Sequence, residues 1–340
     1  MNQYSQILVT GGSGFIGSHL LHQLIKNYPR INIYNLDSLT YASDQSRVKE
    51  LERYSNYHFI EADLRDRELI SDLFERFKFD GVFHLAAESH VDNSIQNPTL
   101  FLETNIMGTA NILEAARRLW LSSSNRSSFA HARFLHVSTD EVYGTLQLGE
   151  TTTFSETTPY SPNSPYSASK AASDHLVNSY YHTYGLPVVI TNCSNNYGPW
   201  QHQEKLIPTV INCLKNTKPI PVYGKGENVR DWLYVGDHCR ALETVFLQGR
   251  LGEKYNIGGK NEKTNLELIY QLCDIMETLV PIKTTSMYLK SYRDLISFVT
   301  DRPGHDARYA IDNTKITTEL EWQPESSFKE ALVVTIKSYL

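Results

Sequence analysis

Thr10-Gly11-Gly12-Ser13-Gly14-Phe15-Ile16-Gly17 is the stretch from which the rest of the chain is read. The apolar run Ile7-Leu8-Val9 precedes it, and Phe15-Ile16, Leu20-Leu21 and Leu24-Ile25 follow at helical spacing. The pattern predicts a strand, a tight glycine turn and a helix. Gly11, Gly14 and Gly17 suit a backbone that turns sharply and then approaches a ligand closely, with no Cβ in the way. The start of the helix turns unpaired N–H groups and its positive end toward that turn, which seats a pyrophosphate. A second apolar run, Ile31–Leu36, ends in Asp37. An acid at that distance from the glycines can bind the ribose diol of NAD and would repel the extra phosphate of NADP. NAD is therefore the expected cofactor.

The bulk properties leave room for this reading. A chain of 340 residues can bury a large core, and its length favours two domains. Hydrophobic residues make up 41% and charged residues 21%, an ordinary globular balance. The net charge of −6 gives no reason to expect a nucleic-acid or membrane partner. Cys193, Cys213, Cys239 and Cys273 form no CxxC pair, so they are expected to be buried free thiols in a reducing, cytoplasmic setting. Neither a signal peptide nor a membrane-spanning run is expected.

Strand-like and helix-like stretches alternate through the first half. After the first β-α-β unit come a strand at Tyr57–Leu64, a helix at Asp66–Phe77 and a strand at Gly81–Ala87. Pro98 suits the first turn of a long helix running to Trp120. Ser122–Ala132 is Ser-rich and expected to loop. Strands at Arg133–Ser138 and Pro187–Cys193 flank a helix from Pro165 to Tyr184. The expected fold is α/β, a doubly wound parallel sheet (Rossmann-like) with a smaller C-terminal substrate-binding domain. The boundaries expected are 1–195 for the NAD-binding domain, with a return segment near 231–258, and 196–340 mainly for the substrate. Helices are expected at Val235–Gln248, Asn265–Leu279 and Phe328–Leu340. Ligands bind beyond the carboxyl ends of such strands, which directs attention to the residues just after each one.

Tyr166 and Lys170 are four apart on one helical face. A phenol with pKa near ~10 is a poor base at neutral pH, and a nearby ammonium favours the phenolate. Taken alone, the pair fits a plain helix surface equally well; beside the glycine turn and Asp37 it suggests a proton acceptor. Ser138-Thr139-Asp140-Glu141-Val142-Tyr143-Gly144 follows a strand and faces the same cleft. Two adjacent carboxyls can address different atoms of one ligand, and close together they do not both ionise easily. One acid and one base side by side suit the removal of water. Alone, the pair fits a hydrogen-bonded turn or a helix cap just as well.

The glycine turn, Asp37, Tyr166 and Lys170 together resemble the short-chain dehydrogenase/reductase superfamily. Epimerases of its extended branch usually carry small hydroxyl residues where this chain has Asp140-Glu141. Thr139-Asp140-Glu141 is instead similar to the nucleotide-sugar 4,6-dehydratases. Ala86–Asp92, Thr191–Pro199, Glu204–Pro208 and Asp301-Arg302-Pro303-Gly304-His305-Asp306 resemble the dTDP-glucose branch of that family, over a span from about Ile7 to the C-terminus.

The resemblance implies an enzyme, a hydro-lyase with tightly bound NAD and a dTDP-glucose substrate. Tyr166 would deprotonate the carbon-4 hydroxyl, with Thr139 hydrogen-bonded to its oxygen and Lys170 holding the nicotinamide ribose. Glu141 would remove the carbon-5 proton and Asp140 would protonate the leaving carbon-6 hydroxyl. The resemblance places Gly11, Gly14, Phe15, Ile16 and Gly17 at the pyrophosphate turn and Asp37, Ser38, Leu39 and Thr40 around the adenosine ribose. Asp63 and Leu64 fall near adenine, and Leu85, Ala86, Ala87, Glu88, Ser89, Thr104 and Asn196 along the cofactor. Ser89, Thr139 and Asn195 would face the sugar. Lys205, Leu206, Pro221, Val222, Tyr223, Arg230, Asn265, Arg302 and His305 match nucleotide-diphosphate positions, in company with Asp301, Pro303 and Gly304.

Arg230 and Arg302 could pair with two phosphates, and Tyr223 could offer a flat face to a pyrimidine. Asn265 fits a helix cap equally well, and His305 fits an ordinary loop histidine. The histidines lack metal-ligand spacing, so no metal is expected. Trp200-Gln201-His202-Gln203 departs from the aromatic-Pro spelling usual in the family, and Thr145–Ser164 is long enough for a flap over the cleft. A homodimer through the helices holding Asn105–Trp120 and Tyr166–Tyr184 is also implied, although an apolar helix face packs equally well inside one subunit. UDP- or CDP-sugar dehydration, 4-epimerisation and a non-catalytic sensor are the rival readings. The acid pair speaks against epimerisation, and the intact Tyr166 and Lys170 against a sensor.

Overall fold

The computed structural model describes residues 1, 3–282, 289–301 and 305–340. Its strands are β1 (Gln6–Thr10), β2 (Asn32–Asp37), β3 (Tyr57–Glu61), β4 (Gly81–His84), β5 (Arg133–Thr139), β6 (Val188–Cys193), β7 (Asn195–Tyr197), β8 (Ile220–Tyr223), β9 (Val229–Tyr234), β10 (Lys254–Ile257), β11 (Glu262–Thr264) and β12 (Ile296–Val299). The helices are α1 (Phe15–Asn27), α2 (Arg67–Phe77), α3 (Val91–Gln96), α4 (Pro98–Phe101), α5 (Gly108–Leu121), α6 (Pro165–Tyr184), α7 (Leu206–Lys215), α8 (Val235–Gln248), α9 (Asn265–Leu279), α10 (Thr314–Leu320) and α11 (Phe328–Tyr339).

Among the described residues, seven parallel strands form one sheet in the order β10-β6-β5-β4-β1-β2-β3. The direction of winding reverses between β1 and β4, so the turns leaving those strands part and open a crevice at their carboxyl ends. Strand periodicity explains the layers. Ile7 and Val9 point to one face, where they pack with α1 and α8 residues such as Leu20 and Leu242. Leu8 points to the other and joins Ile70 of α2, Ile112 of α5 and Val177 of α6. Burial on both faces is why these strands read as unbroken apolar runs.

After β6 the chain leaves this sheet. β7, β9 and β11 form a small mixed sheet, β8 and β12 a parallel pair, and α7, α9 and α11 enclose a separate core around Ile211, Leu268 and Leu332. Within the segment expected to return, α8 and β10 pack on the large sheet, whereas β9 pairs with β7 and β11. A second return, α10, adds Ile316 and Leu320 to the α1 face.

Two local expectations need correction. The helix expected from Pro98 to Trp120 is interrupted by a π-helical stretch at Leu102–Met107. Its cause is Asn105, whose buried side chain accepts from Glu88 N (2.8 Å) and donates to Glu88 O (3.0 Å) and Ser169 Oγ (2.8 Å). The Thr145–Ser164 connection is not a free flap. Leu146 N donates to Arg308 O (3.0 Å) and Phe154 N to Ala310 O (2.9 Å), and Phe154 is buried against Tyr143.

Candidate active site

The glycine turn is shaped by a neighbouring loop. Gly11 has φ +69°, and a Cβ there would lie 2.8 Å from the Ala86 backbone; one on Gly17 would lie 2.2 Å from Gly11 O. Gly14 N-caps α1 without a side-chain acceptor, so the first-turn N–H groups are directed at the crevice. Asp37 is buried at the end of β2. It accepts from Ser13 N (2.9 Å), Leu39 N (2.9 Å) and Ser43 Oγ (2.6 Å). A carboxylate has about four acceptor positions, so one is left for a ribose hydroxyl. Open helix N–H groups, glycines that no side chain could replace, and this acid together fit NAD.

One cleft of ≈ 300 Å³ gathers most of the expected cofactor positions: Gly11, Gly14, Phe15, Ile16, Gly17, Asp37, Ser38, Thr40, Asp63, Leu64, Leu85, Ala86, Ala87, Glu88, Ser89, Thr104, Tyr166, Lys170 and Asn196. Thr139, Asp140, Glu141, Asn195 and Lys205 line the same cleft. Leu39 does not line it; its backbone, at φ +52°, braces Asp37 instead. Gln201, His202 and Glu204 also line the cleft. They fall in or beside the segment whose spelling departs from the family, the one sign of them in the sequence.

Among the described residues, the other nucleotide positions do not line this cleft. Leu206 opens α7, and the Val222 side chain is buried in the third core, which leaves Val222 only its backbone for a ligand. Pro221 and Tyr223 are on β8, with the Tyr223 ring half-exposed and edge-on to His305 at 6.4 Å. His305 Nδ1 pairs with Asp301 Oδ1 at 2.7 Å. Arg230 is buried, donates to Val229 O (2.7 Å) and Asp306 O (2.9 Å), and lies 4.4 Å over the Tyr309 ring. Asn265 begins α9, but Thr264 is its cap, in a reciprocal box with Glu267. Arg302, Pro303 and Gly304 lie outside the described residues.

At the end of β5, Asp140 and Glu141 open a short 3-10 turn. Glu141 N donates to Thr139 Oγ1 (3.2 Å), and Thr139 Oγ1 donates to Asp140 Oδ1 (3.3 Å). Asp140 is 2% exposed and its Oδ2 has no hydrogen-bond partner. Burial, then the nearby Glu141 and Asp231 carboxylates, push its carboxyl well above the ordinary range, against a smaller opposing pull from Arg230. Asp140 thus holds its proton more firmly than an ordinary carboxyl, beside a second carboxyl.

Tyr166 also hydrogen-bonds Thr139, but its acidity corrects a sequence expectation. Burial first, then Glu141, Cys193 and Asp140, raise the phenol well above its usual value. Lys170 does not counter this: its Nζ donates to Val137 O (2.9 Å), and burial lowers its own pKa while Asp174 raises it. Asp174 was not foreseen. Its Oδ2 accepts from Ser138 Oγ, Tyr160 OH and Asn192 Nδ2 (2.9, 2.8 and 3.1 Å), and Oδ1 lies 3.2 Å from His136 Nε2. It sits one helical turn beyond Lys170, a spacing that was legible.

Comparison with known proteins follows the same lines. A family model described as GDP-mannose 4,6 dehydratase matches residues 8–335. A dTDP-glucose 4,6-dehydratase of Haemophilus influenzae is 52% identical over 336 residues, covering 98% of this chain and 97% of that one. One from Salmonella typhimurium is 49% identical over 344 residues, covering 98% and 92%. The crystal structure of DesIV (dTDP-glucose 4,6-dehydratase) from Streptomyces venezuelae with NAD and TYD bound superposes with a TM-score of 0.87 at 41% identity, over 98% of this chain and 96% of that one. By sequence over nearly its whole length and by fold, the chain belongs to the nucleotide-sugar 4,6-dehydratase family, in its dTDP-glucose branch.

Proposed function

We propose that this chain converts dTDP-glucose to dTDP-4-keto-6-deoxyglucose without net redox change. The observation that carries the chemistry is a buried Asp140, its carboxyl shifted toward the protonated form, beside Glu141 in the same cleft as Tyr166 and Lys170. NAD, when bound, would supply a reversible hydride acceptor for carbon-4 and carbon-6, and the proton that Glu141 removes from carbon-5 goes back to carbon-5 when carbon-6 is reduced. Tyr166, held by Thr139, takes the carbon-4 hydroxyl proton in its phenolate form, which the positive nicotinamide of bound NAD would favour over the neutral phenol. The 4-ketone acidifies the carbon-5 proton, which Glu141 removes. Asp140 gives its proton to the carbon-6 hydroxyl, and water leaves. Lys170, fixed by Val137 O, orients the cofactor ribose.

Epimerisation at carbon-4 needs the tyrosine and lysine but neither carboxyl, so Asp140 and Glu141 would then be buried acids without a task. A sensor would gain nothing from the tyrosine–lysine pair. On the nucleotide side, Tyr223, His305 and Asp301 offer a flat ring and polar groups for the base and phosphates. The chain also forms a homodimer through the helices at Asn105–Trp120 and Tyr166–Tyr184, a reading supported by half-exposed Ile95, Leu102 and Met107 nearby, and acts in the cytoplasm. Sedimentation equilibrium should return twice the 38.9 kDa chain mass.

The deciding assay supplies dTDP-, UDP- and CDP-glucose to purified protein with no added reductant. Only dTDP-glucose should be dehydrated efficiently, with no net NADH. Glu141→Gln should still abstract hydride but lose elimination by roughly 10²-fold or more, the usual weight of a general base. Dehydration by that variant at the parent rate would remove Glu141 from the role of base.

A further inference from the structure

The two rims of the cofactor cleft touch at a point that the chemistry above leaves unused. Tyr41 stands on the loop after β2, half-exposed. Its phenol bonds the Asn93 side chain of α3 and lies near the Glu204 and Glu88 carboxylates; burial, then those two charges, lift it to about 12, so it stays a neutral donor. From the opposite rim His202 meets it edge-on, with ring centroids 5.6 Å apart and planes at 86°. His202 Nδ1 lies 3.4 Å from Glu204 Oε2, and His90 Nε2 lies 3.9 Å from the same oxygen.

Each rim is anchored, and His22 of α1 touches both, with Nε2 2.7 Å from Arg47 O and its ring under Trp200. The Tyr41 loop is tied back by Asp37, by Asp44 N on Ser13 O (3.0 Å) and by Arg47 Nη1 on Ala42 O (3.1 Å). On the other side Trp200, at φ +69°, packs over His19 and His22 of α1 with centroids at 4.7 and 5.3 Å. Gln201 Nε2 donates to Asn196 O (2.8 Å), and Tyr339 OH from α11 donates to Gln201 O (2.6 Å). Thr40 and Ala42 on one side, and Gln201 and His202 on the other, face into the cleft. A dinucleotide running from the start of α1 past Asp37 would pass along the residues that flank the ring contact.

We propose that Tyr41 and His202 form a clasp across the cleft that keeps NAD from leaving between the two hydride transfers. This rests on the dehydratase reading, in which the cofactor is regenerated in place. The two rings are positioning groups: they hold the rims together and touch no reacting atom.

The test measures NAD per chain after gel filtration, and the rate of NAD loss on dilution, for the full-length parent, Tyr41→Ala, His202→Leu and His202→Phe. An edge-to-face aromatic pair is worth up to roughly tenfold in an equilibrium constant, so Tyr41→Ala and His202→Leu should lose NAD up to about tenfold faster than the parent. His202→Phe keeps the ring contact and should hold NAD as the parent does. If Tyr41→Ala does not fold, the comparison of His202→Leu with His202→Phe decides alone. Equal NAD loss from those two overturns the clasp while the dehydratase reading stands. A parent chain that neither carries nor takes up NAD overturns that reading, and the clasp with it.

Discussion

At Asp140, burial and two neighbouring carboxylates hold a proton on a group that would shed it in water. The folded pKa lies above the unfolded one, so folding takes up a proton. Its stabilising contribution is complete below the ordinary carboxylate pKa and is lost as pH rises toward the folded value. Asp140→Asn carries no such penalty. It should melt higher than the parent at pH 7.5 by roughly 1–3 °C, a gap that closes by about pH 4, while dehydration is lost. Thermal melts at the two pH values check this. That two adjacent acids resist ionising together was legible from the sequence. The share of Asp231 in that shift was not, because β9 brings it from far along the chain. Arg230 shows the same limit: residue type suggested phosphate binding, but not that Nη1 and Nη2 each donate to a backbone carbonyl, of Val229 and Asp306.

At the level of elements, the π-helical stretch does something an ordinary helix could not. It turns Asn105 inward, where its amide joins the Glu88 backbone to Ser169 of α6. Asn105→Ala leaves both backbone groups of Glu88 without that partner in a buried place. A cost of about 2–3 kcal/mol is expected by denaturant titration, along with weaker NAD binding, because Ala86–Ser89 form one wall of the cleft. Thr264→Ala, which removes the α9 cap, should cost about 1 kcal/mol by the same measurement and leave NAD binding as it was. Whereas the buried face of Pro165–Tyr184 is largely polar, apolar spacing located the helix at Asn265–Leu279, which buries one apolar face. It could not reveal one extra residue per turn near Asn105, which leaves the apolar pattern almost unchanged.

For the whole molecule, NAD is a ligand of the folded state alone, and its loss is a loss of stability. At free NAD one hundred times its Kd, stabilisation is about 2.7 kcal/mol, so stripped protein should melt several degrees lower and recover when NAD is returned. Calorimetry with and without NAD checks this. The first six strands were legible because most are buried on both faces and alternate with helices; β3, at the sheet edge, is half-exposed. Later runs are short, and nothing local distinguishes β10, which rejoins the large sheet, from β11, which does not.

That late return has a consequence for how the protein is made. A ribosome releases β6 well before β10 exists, and until Lys254–Ile257 arrive one flank of the sheet offers bare backbone N–H and C=O groups. The nascent chain is then most open to sticking to another copy of itself. Slow translation or premature termination between Cys193 and Lys254 would favour inclusion bodies over yield, and the arrival of β10 is what ends that exposure.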